Sequence, residues 1–181
     1  MDVLVAGFLL LVFSPLLLAI ALVVRLDSRG PALFRQRRVG RGSREFTILK
    51  FRTMFVGTPD LASNLVGPGS ARVTRVGRVL RRTSLDELPQ FLNVLAGDMT
   101  LVGPRPALHN QHDLVAMRRQ SGVDALKPGM TGWAQIHGRD DMPLERKLAY
   151  DRWYLENVSF WLDLWIVLRT PFAVLSSRGV Y

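Results

Sequence analysis

Residues 3–24 form an apolar run of 22 positions without a single charge. At about 1.5 Å per residue such a helix reaches across a hydrocarbon layer of roughly 30 Å. Ser14-Pro15 interrupts it near the middle. Pro15 has no N–H to offer the Leu11 carbonyl, and the Ser14 hydroxyl is expected to bond back to the Leu10 carbonyl, which bends a helix further. The pattern fits two geometries equally: a kinked spanning helix, or a helix–break–helix hairpin that enters and leaves by one face. A buried helix of a soluble protein is the plain alternative. A signal peptide fits poorly, because the run is too long and lacks a basic leader.

Beyond this run the periodicity shortens. Ala32-Leu33-Phe34-Arg35-Gln36 and Glu45-Phe46-Thr47-Ile48-Leu49-Lys50-Phe51 flank a Gly40/Gly42/Ser43 cluster, the pattern of a β-hairpin. The hairpin leads into Lys50-Phe51-Arg52-Thr53-Met54, whose plain reading is a solvated edge strand. Residues 55–71, rich in Gly, Pro, Ser and Asn, predict a mobile loop. Residues 72–82 predict an amphipathic helix, with Val73, Val76, Val79 and Leu80 opposite Arg72, Arg75, Arg78, Arg81 and Arg82. Next, Pro89 is placed in the first turn of a helix that runs through Phe91, Leu92, Val94 and Leu95 and stops at Gly97. Pro104 and Pro106 stiffen a turn around Arg105. The glycines of Lys127-Pro128-Gly129-Met130-Thr131-Gly132-Trp133 suit a close backbone approach to a ligand. Residues 144–156 predict a helix, and Phe160, Trp161, Leu164, Trp165, Val167 and Leu168 make a Trp-rich surface for a membrane interface or a packed core. The fold class is α+β and mainly helical, with a membrane helix over residues 1–25 and one catalytic or binding domain over 26–181.

Composition narrows the partners. The chain has 181 residues and no cysteine, which excludes disulfides and thiolate chemistry and fits a reducing compartment. Net charge is +9, and arginine dominates the basic side. Such a balance favours phosphates, whether in nucleic acid, nucleotides or anionic lipid. Arg25, Arg29, Arg35, Arg37 and Arg38 follow the apolar run and place its C-terminal side in the cytoplasm. His109 and His112 lack a nearby ligand pattern and are read as surface or structural residues.

The chemistry centres on Ser84-Leu85-Asp86-Glu87-Leu88-Pro89-Gln90. Two adjacent carboxylates open a helix just after a run of arginines. An ionised aspartate there can act as a nucleophile, and its neighbour can hold a divalent cation. Ser84-x-x-Glu87 is also a capping-box pattern, which requires no function. Pro89 counts against the box, because it would fall at the fifth helical position.

Taken together, these stretches resemble the bacterial sugar transferase family, the monotopic polyprenyl-phosphate phosphoglycosyl transferases. The resemblance rests on the Ser14-Pro15 helix, Lys50-Phe51-Arg52-Thr53-Met54, the Asp86-Glu87 heptapeptide and Gly97-Asp98-Met99. Val102-Gly103-Pro104-Arg105-Pro106 and Pro128-Gly129-Met130-Thr131-Gly132-Trp133-Ala134-Gln135 complete it. It implies transfer of a sugar 1-phosphate from a UDP-sugar to undecaprenyl phosphate, with release of UMP, as the first membrane step of glycan assembly. It implies that Asp86 is the nucleophile of a covalent phosphosugar intermediate, and that Glu87 helps hold Mg²⁺. Arg81, Arg105 and Arg139 match basic positions assigned to phosphate or nucleotide. The Ser14-Pro15 helix is expected to be re-entrant, at the cytoplasmic face of the bacterial inner membrane, with no nucleic acid partner. Family members usually carry basic residues before this helix. The chain, which starts at Met1-Asp2, resembles a minimal catalytic form or an excised catalytic domain. The competing hypothesis is a non-catalytic, basic, membrane-anchored module for anionic lipid or nucleic acid.

Overall fold

The computed structural model describes residues 2–58, 72–138 and 142–175. Most of the predicted 55–71 loop lies outside them. Helix α1, Asp2–Asp27, is one uninterrupted helix with Pro15 inside it. Its continuity has a local cause. Pro15 leaves the Leu11 carbonyl without an amide partner, and the Ser14 hydroxyl donates to that same carbonyl at 2.8 Å. The acceptor is Leu11 and not the Leu10 carbonyl expected from the sequence. The three-residue spacing instead repairs the one gap the proline makes.

Strands β1 (Leu33–Val39) and β2 (Glu45–Phe51) form the expected hairpin, in register from Leu33↔Phe51 to Val39↔Glu45. A short strand β4, Ala107–Leu108, adds to the far side of β1, so β2 remains at the sheet edge. That edge is not solvated. Asn93, on helix α3 (Phe91–Ala96), donates to the Thr47 carbonyl at 2.7 Å and accepts from the Leu49 N–H at 3.0 Å. One side-chain amide thus substitutes for a neighbouring strand. The edge-strand reading of Arg52 also fails. Its buried guanidinium donates to the carbonyls of Pro31, Arg29 and Ser28 at 2.7–2.8 Å and to Val24 at 3.3 Å, which closes the C-terminal end of α1.

Helix α2 covers Arg75–Thr83, three residues shorter at its start than the apolar pattern suggests. Thr74 caps it by accepting from the Gly77 N–H at 2.9 Å, and Asp27 of α1 accepts from the Val76 N–H at 3.1 Å. Strand β3 (Thr100–Val102) pairs in parallel with β5 (Gly129–Thr131). Here the glycines allow close packing of backbone on backbone. A Cβ on Gly129 or Gly132 would overlap the Gly103 backbone, and one on Gly103 would lie 2.5 Å from the Lys127 carbonyl. Helices α4 (His112–Gln120), α5 (Trp133–His137), α6 (Leu144–Asn157) and α7 (Phe160–Leu175) complete the chain.

The core has three parts. Ala6 of α1 packs with Ile48, Phe91, Val94 and Met99; Ile20 and Val24 pack with Phe51 and Leu80; Val102, Tyr154 and Ile166 form the third. Helix α1 therefore shares its buried face with the rest of the molecule along its length. Its first residue in the structure, Asp2, accepts a hydrogen bond from Thr100 on β3. The opposite face of α1 exposes Leu4, Phe8, Leu11, Leu18 and Leu22, and α7 exposes Trp161, Leu168 and Phe172. Trp133 packs against other rings, 4.0 Å from Trp153 and 5.6 Å from Trp165 between centroids.

Candidate active site

Ser84 ends α2 in a left-handed conformation at φ 57° and makes no side-chain cap, so the capping box is not formed. The chain then tightens into a 3₁₀ turn, Leu85–Gln90, with Asp86 and Glu87 in its first part and Pro89 within it. The α-helix begins only at Phe91. Pro89 is accommodated by the shift from α to 3₁₀ bonding, which differs from its expected place in the first turn of an α-helix.

The two carboxylates have different surroundings. Glu87 Oε1 accepts from Lys50 Nζ at 2.7 Å and from Arg105 Nη2 at 2.9 Å, while Oε2 meets Arg105 Nη1 at 3.4 Å. Burial alone would raise the Glu87 carboxyl, but Arg105 and Lys50 outweigh it and hold the group far below the usual carboxylate range. Asp86 accepts no hydrogen bond from the described residues. Burial, and then the neighbouring Glu87 charge, push it up to about 6, against the pull of Lys50, Arg81 and Arg105. Glu87 is thus a permanent anion locked between two cations, and Asp86 is an ionisable carboxylate with its lone pairs open. Such a pair can divide the work between a fixed charge and a nucleophile.

Local geometry explains how distant residues meet here. Lys50 lies two positions beyond the buried Ile48 on the same face of β2, directed at the 3₁₀ turn. Arg105 projects from the turn after β3. Arg81 sits in the last turn of α2, and its Nη1 is buried with no hydrogen-bond partner among the described residues. An orphaned guanidinium nitrogen beside an open carboxylate is the donor that a phosphate oxygen would satisfy. The structure therefore brings together Asp86, Glu87, Arg81 and Arg105 among the expected residues. Arg139 lies outside the described residues. Ser14 and Pro15 are in α1, remote in sequence and engaged in helix repair.

Lys50 is the residue that sequence reasoning undervalued. The pattern around it predicts a solvated strand, whereas its side chain is 13% exposed and ion-paired to Glu87. The available signal was a lysine on the same strand face as Ile48, an apolar residue.

A divalent cation fits this site in one way. Among the described residues there is no cluster of three or more His, Asp or Glu side chains. Glu87 Oε2 and the Asp86 carboxylate retain free lone pairs. Mg²⁺ is commonly held by one or two carboxylates plus substrate phosphates, and this donor set suits an ion that arrives with a diphosphate.

Known proteins resemble the chain over almost all of it. The family model described as bacterial sugar transferase matches residues 1–177. An uncharacterized sugar transferase, EpsL, of Bacillus subtilis is 45% identical over 99% of this chain and 87% of its own length. A UDP-glucose:undecaprenyl-phosphate glucose-1-phosphate transferase of Caulobacter vibrioides is 45% identical over 100% of this chain and 70% of its own. A UDP-N-acetylgalactosamine-undecaprenyl-phosphate N-acetylgalactosaminephosphotransferase of Aeromonas hydrophila is 42% identical over 99% of this chain, which spans only 44% of that protein. The match runs through the helix, the acidic pair and the arginine turn alike, and the chain belongs to the bacterial sugar transferase family.

Proposed function

We propose that this transferase moves a sugar 1-phosphate from a UDP-sugar to undecaprenyl phosphate by double displacement on Asp86. The observation that carries the reading is the asymmetry of the acidic pair: Glu87 is held by Lys50 and Arg105, while Asp86 is left open beside the orphaned Nη1 of Arg81. In the first step an Asp86 carboxylate oxygen attacks the phosphorus that bears the sugar. A new acyl-phosphate P–O bond forms, the bridging P–O bond breaks, and UMP departs with that electron pair. In the second step a phosphate oxygen of the lipid attacks the same phosphorus, the acyl-phosphate bond breaks, and Asp86 is regenerated. Arg81 and Arg105 stabilise the charge spread over the phosphoryl oxygens. Mg²⁺, when bound through Glu87 and the diphosphate, would offset the repulsion between an anionic nucleophile and an anionic donor.

Membrane placement follows the same reading. Helix α1 is fastened to the body at Asp2 and again at Asp27, so its two ends meet one folded unit. This supports a monotopic arrangement over a helix that crosses the bilayer alone, and Arg25, Arg29, Arg35, Arg37 and Arg38 favour the cytoplasmic face of the inner membrane. The exposed apolar side chains of α1 and α7 would face lipid.

Incubation of the full chain with a sugar-labelled UDP-sugar, without acceptor, is expected to leave label covalently bound to wild-type protein and none on Asp86→Asn. Equal labelling of both proteins would overturn the nucleophile assignment.

A further inference from the structure

Outside the acidic pair the molecule buries a second charged pair that the reaction as written does not use. Arg118 on α4 and Asp151 on α6 are 7% and 2% exposed. Arg118 donates through Nε and Nη2 to the same oxygen, Asp151 Oδ2, at 3.0 and 2.6 Å. Desolvation consumes most of what such a pair gains, so packing alone explains it weakly. The remaining edge of the guanidinium is informative. Arg118 Nη1 donates to the main-chain carbonyl of Arg105 at 2.8 Å.

That bond belongs to a set of three. Pro104, Arg105 and Pro106 offer consecutive carbonyls, and the two prolines have no N–H of their own. The Pro104 carbonyl accepts from the Gly129 N–H at 3.0 Å, the Arg105 carbonyl from Arg118, and the Pro106 carbonyl from Arg38 Nη1 at 3.0 Å. Three elements, β5, α4 and β1, thus clamp three successive peptide units from different sides. The Arg105 side chain leaves the centre of this clamp and reaches Glu87. Of the three donors, Arg118 alone is both buried and aligned by a buried carboxylate.

We infer that Arg118, oriented by Asp151, is a positioning residue for phosphosugar transfer: through the Arg105 carbonyl it sets the aim of the Arg105 guanidinium on Glu87. This rests on the transfer reaction proposed above. Arg118→Lys keeps a cation for Asp151 but loses the planar fork that serves both partners at once. The full chain in detergent is expected to lose about tenfold or more in kcat on this change, with donor KM altered by less than about twofold. In an Arg105→Ala background the same change should cost less than about twofold, because the group it aims is gone. A loss of equal size in both backgrounds, or no loss in either, would overturn the inference. Should Arg118→Lys fail to fold, Asp151→Asn enters the same cycle with the same two readings. A second measurement needs no turnover. The guanidinium hydrogens of Arg105 should exchange with solvent severalfold faster in the variant than in wild type, and unchanged exchange counts against the inference. Wild-type protein inactive on every UDP-sugar would remove the proposed reaction, and the exchange comparison would still decide the role of Arg118.

Discussion

Asp86 carries the pH behaviour of the site. Its carboxyl titrates near 6 because burial and the adjacent Glu87 charge disfavour the anion. The proposed nucleophile, Asp86, must be ionised, so kcat/KM should fall below pH 6, approaching tenfold per pH unit. A flat profile from pH 5 to 8 would remove Asp86 from the chemistry. The same shift has a stability consequence. A folded-state value above the unfolded one favours the fold at low pH, and that contribution disappears as pH rises through about 6. At pH 7.5 the ionised Asp86 is therefore a cost, and Asp86→Asn should abolish turnover yet raise Tm by roughly 2–4 °C. Lys50→Met removes one of the two cations on Glu87 and is expected to lower kcat about 10²-fold, measured as UMP release. The acidic pair was legible in the sequence because its members are adjacent and follow a run of arginines. The role of Lys50 was not, since it meets Glu87 across 37 positions, a distance no local pattern encodes.

Among the elements, the hairpin, α6 and the stop at Gly97 follow directly from periodicity and turn chemistry. What escaped were substitutions of one kind of hydrogen bond for another. Ser14 replaces an amide at Leu11, Asn93 replaces a strand beside β2, and Arg52 replaces the missing turn beyond α1. Each depends on a side chain reaching backbone that lies elsewhere in the fold. Arg52→Met leaves several carbonyls at the end of α1 without donors and should destabilise the protein by about 3 kcal/mol, read from the denaturant midpoint. The glycines of the 127–133 segment were legible as sites of close approach. The strand they approach is not legible, because parallel pairing of β3 with β5 is a long-range event.

For the whole molecule, the apolar run announced a membrane helix, but its relation to the rest could not be read from hydropathy. The structure ties both ends of α1 to the body, through Asp2 with Thr100 and Asp27 with the α2 amide. The chain has no cysteine, so a single reporter can be introduced cleanly. In intact cells with a permeabilised outer membrane, Val3→Cys is expected to resist an impermeant maleimide and to react once the inner membrane is opened. Labelling in intact cells would place the start of α1 outside and refute the monotopic reading.

The double fastening of α1 has a further consequence. A helix held at one end can tilt and let its cargo bob, whereas one pinned at both ends sets the immersion of the whole enzyme once. In the monotopic placement proposed above, the acidic pair would wait at a fixed altitude above the acyl chains, and the acceptor's headgroup would have to rise to meet it. Bilayer thickness, varied through lipid chain length, would then become a tuning parameter for turnover.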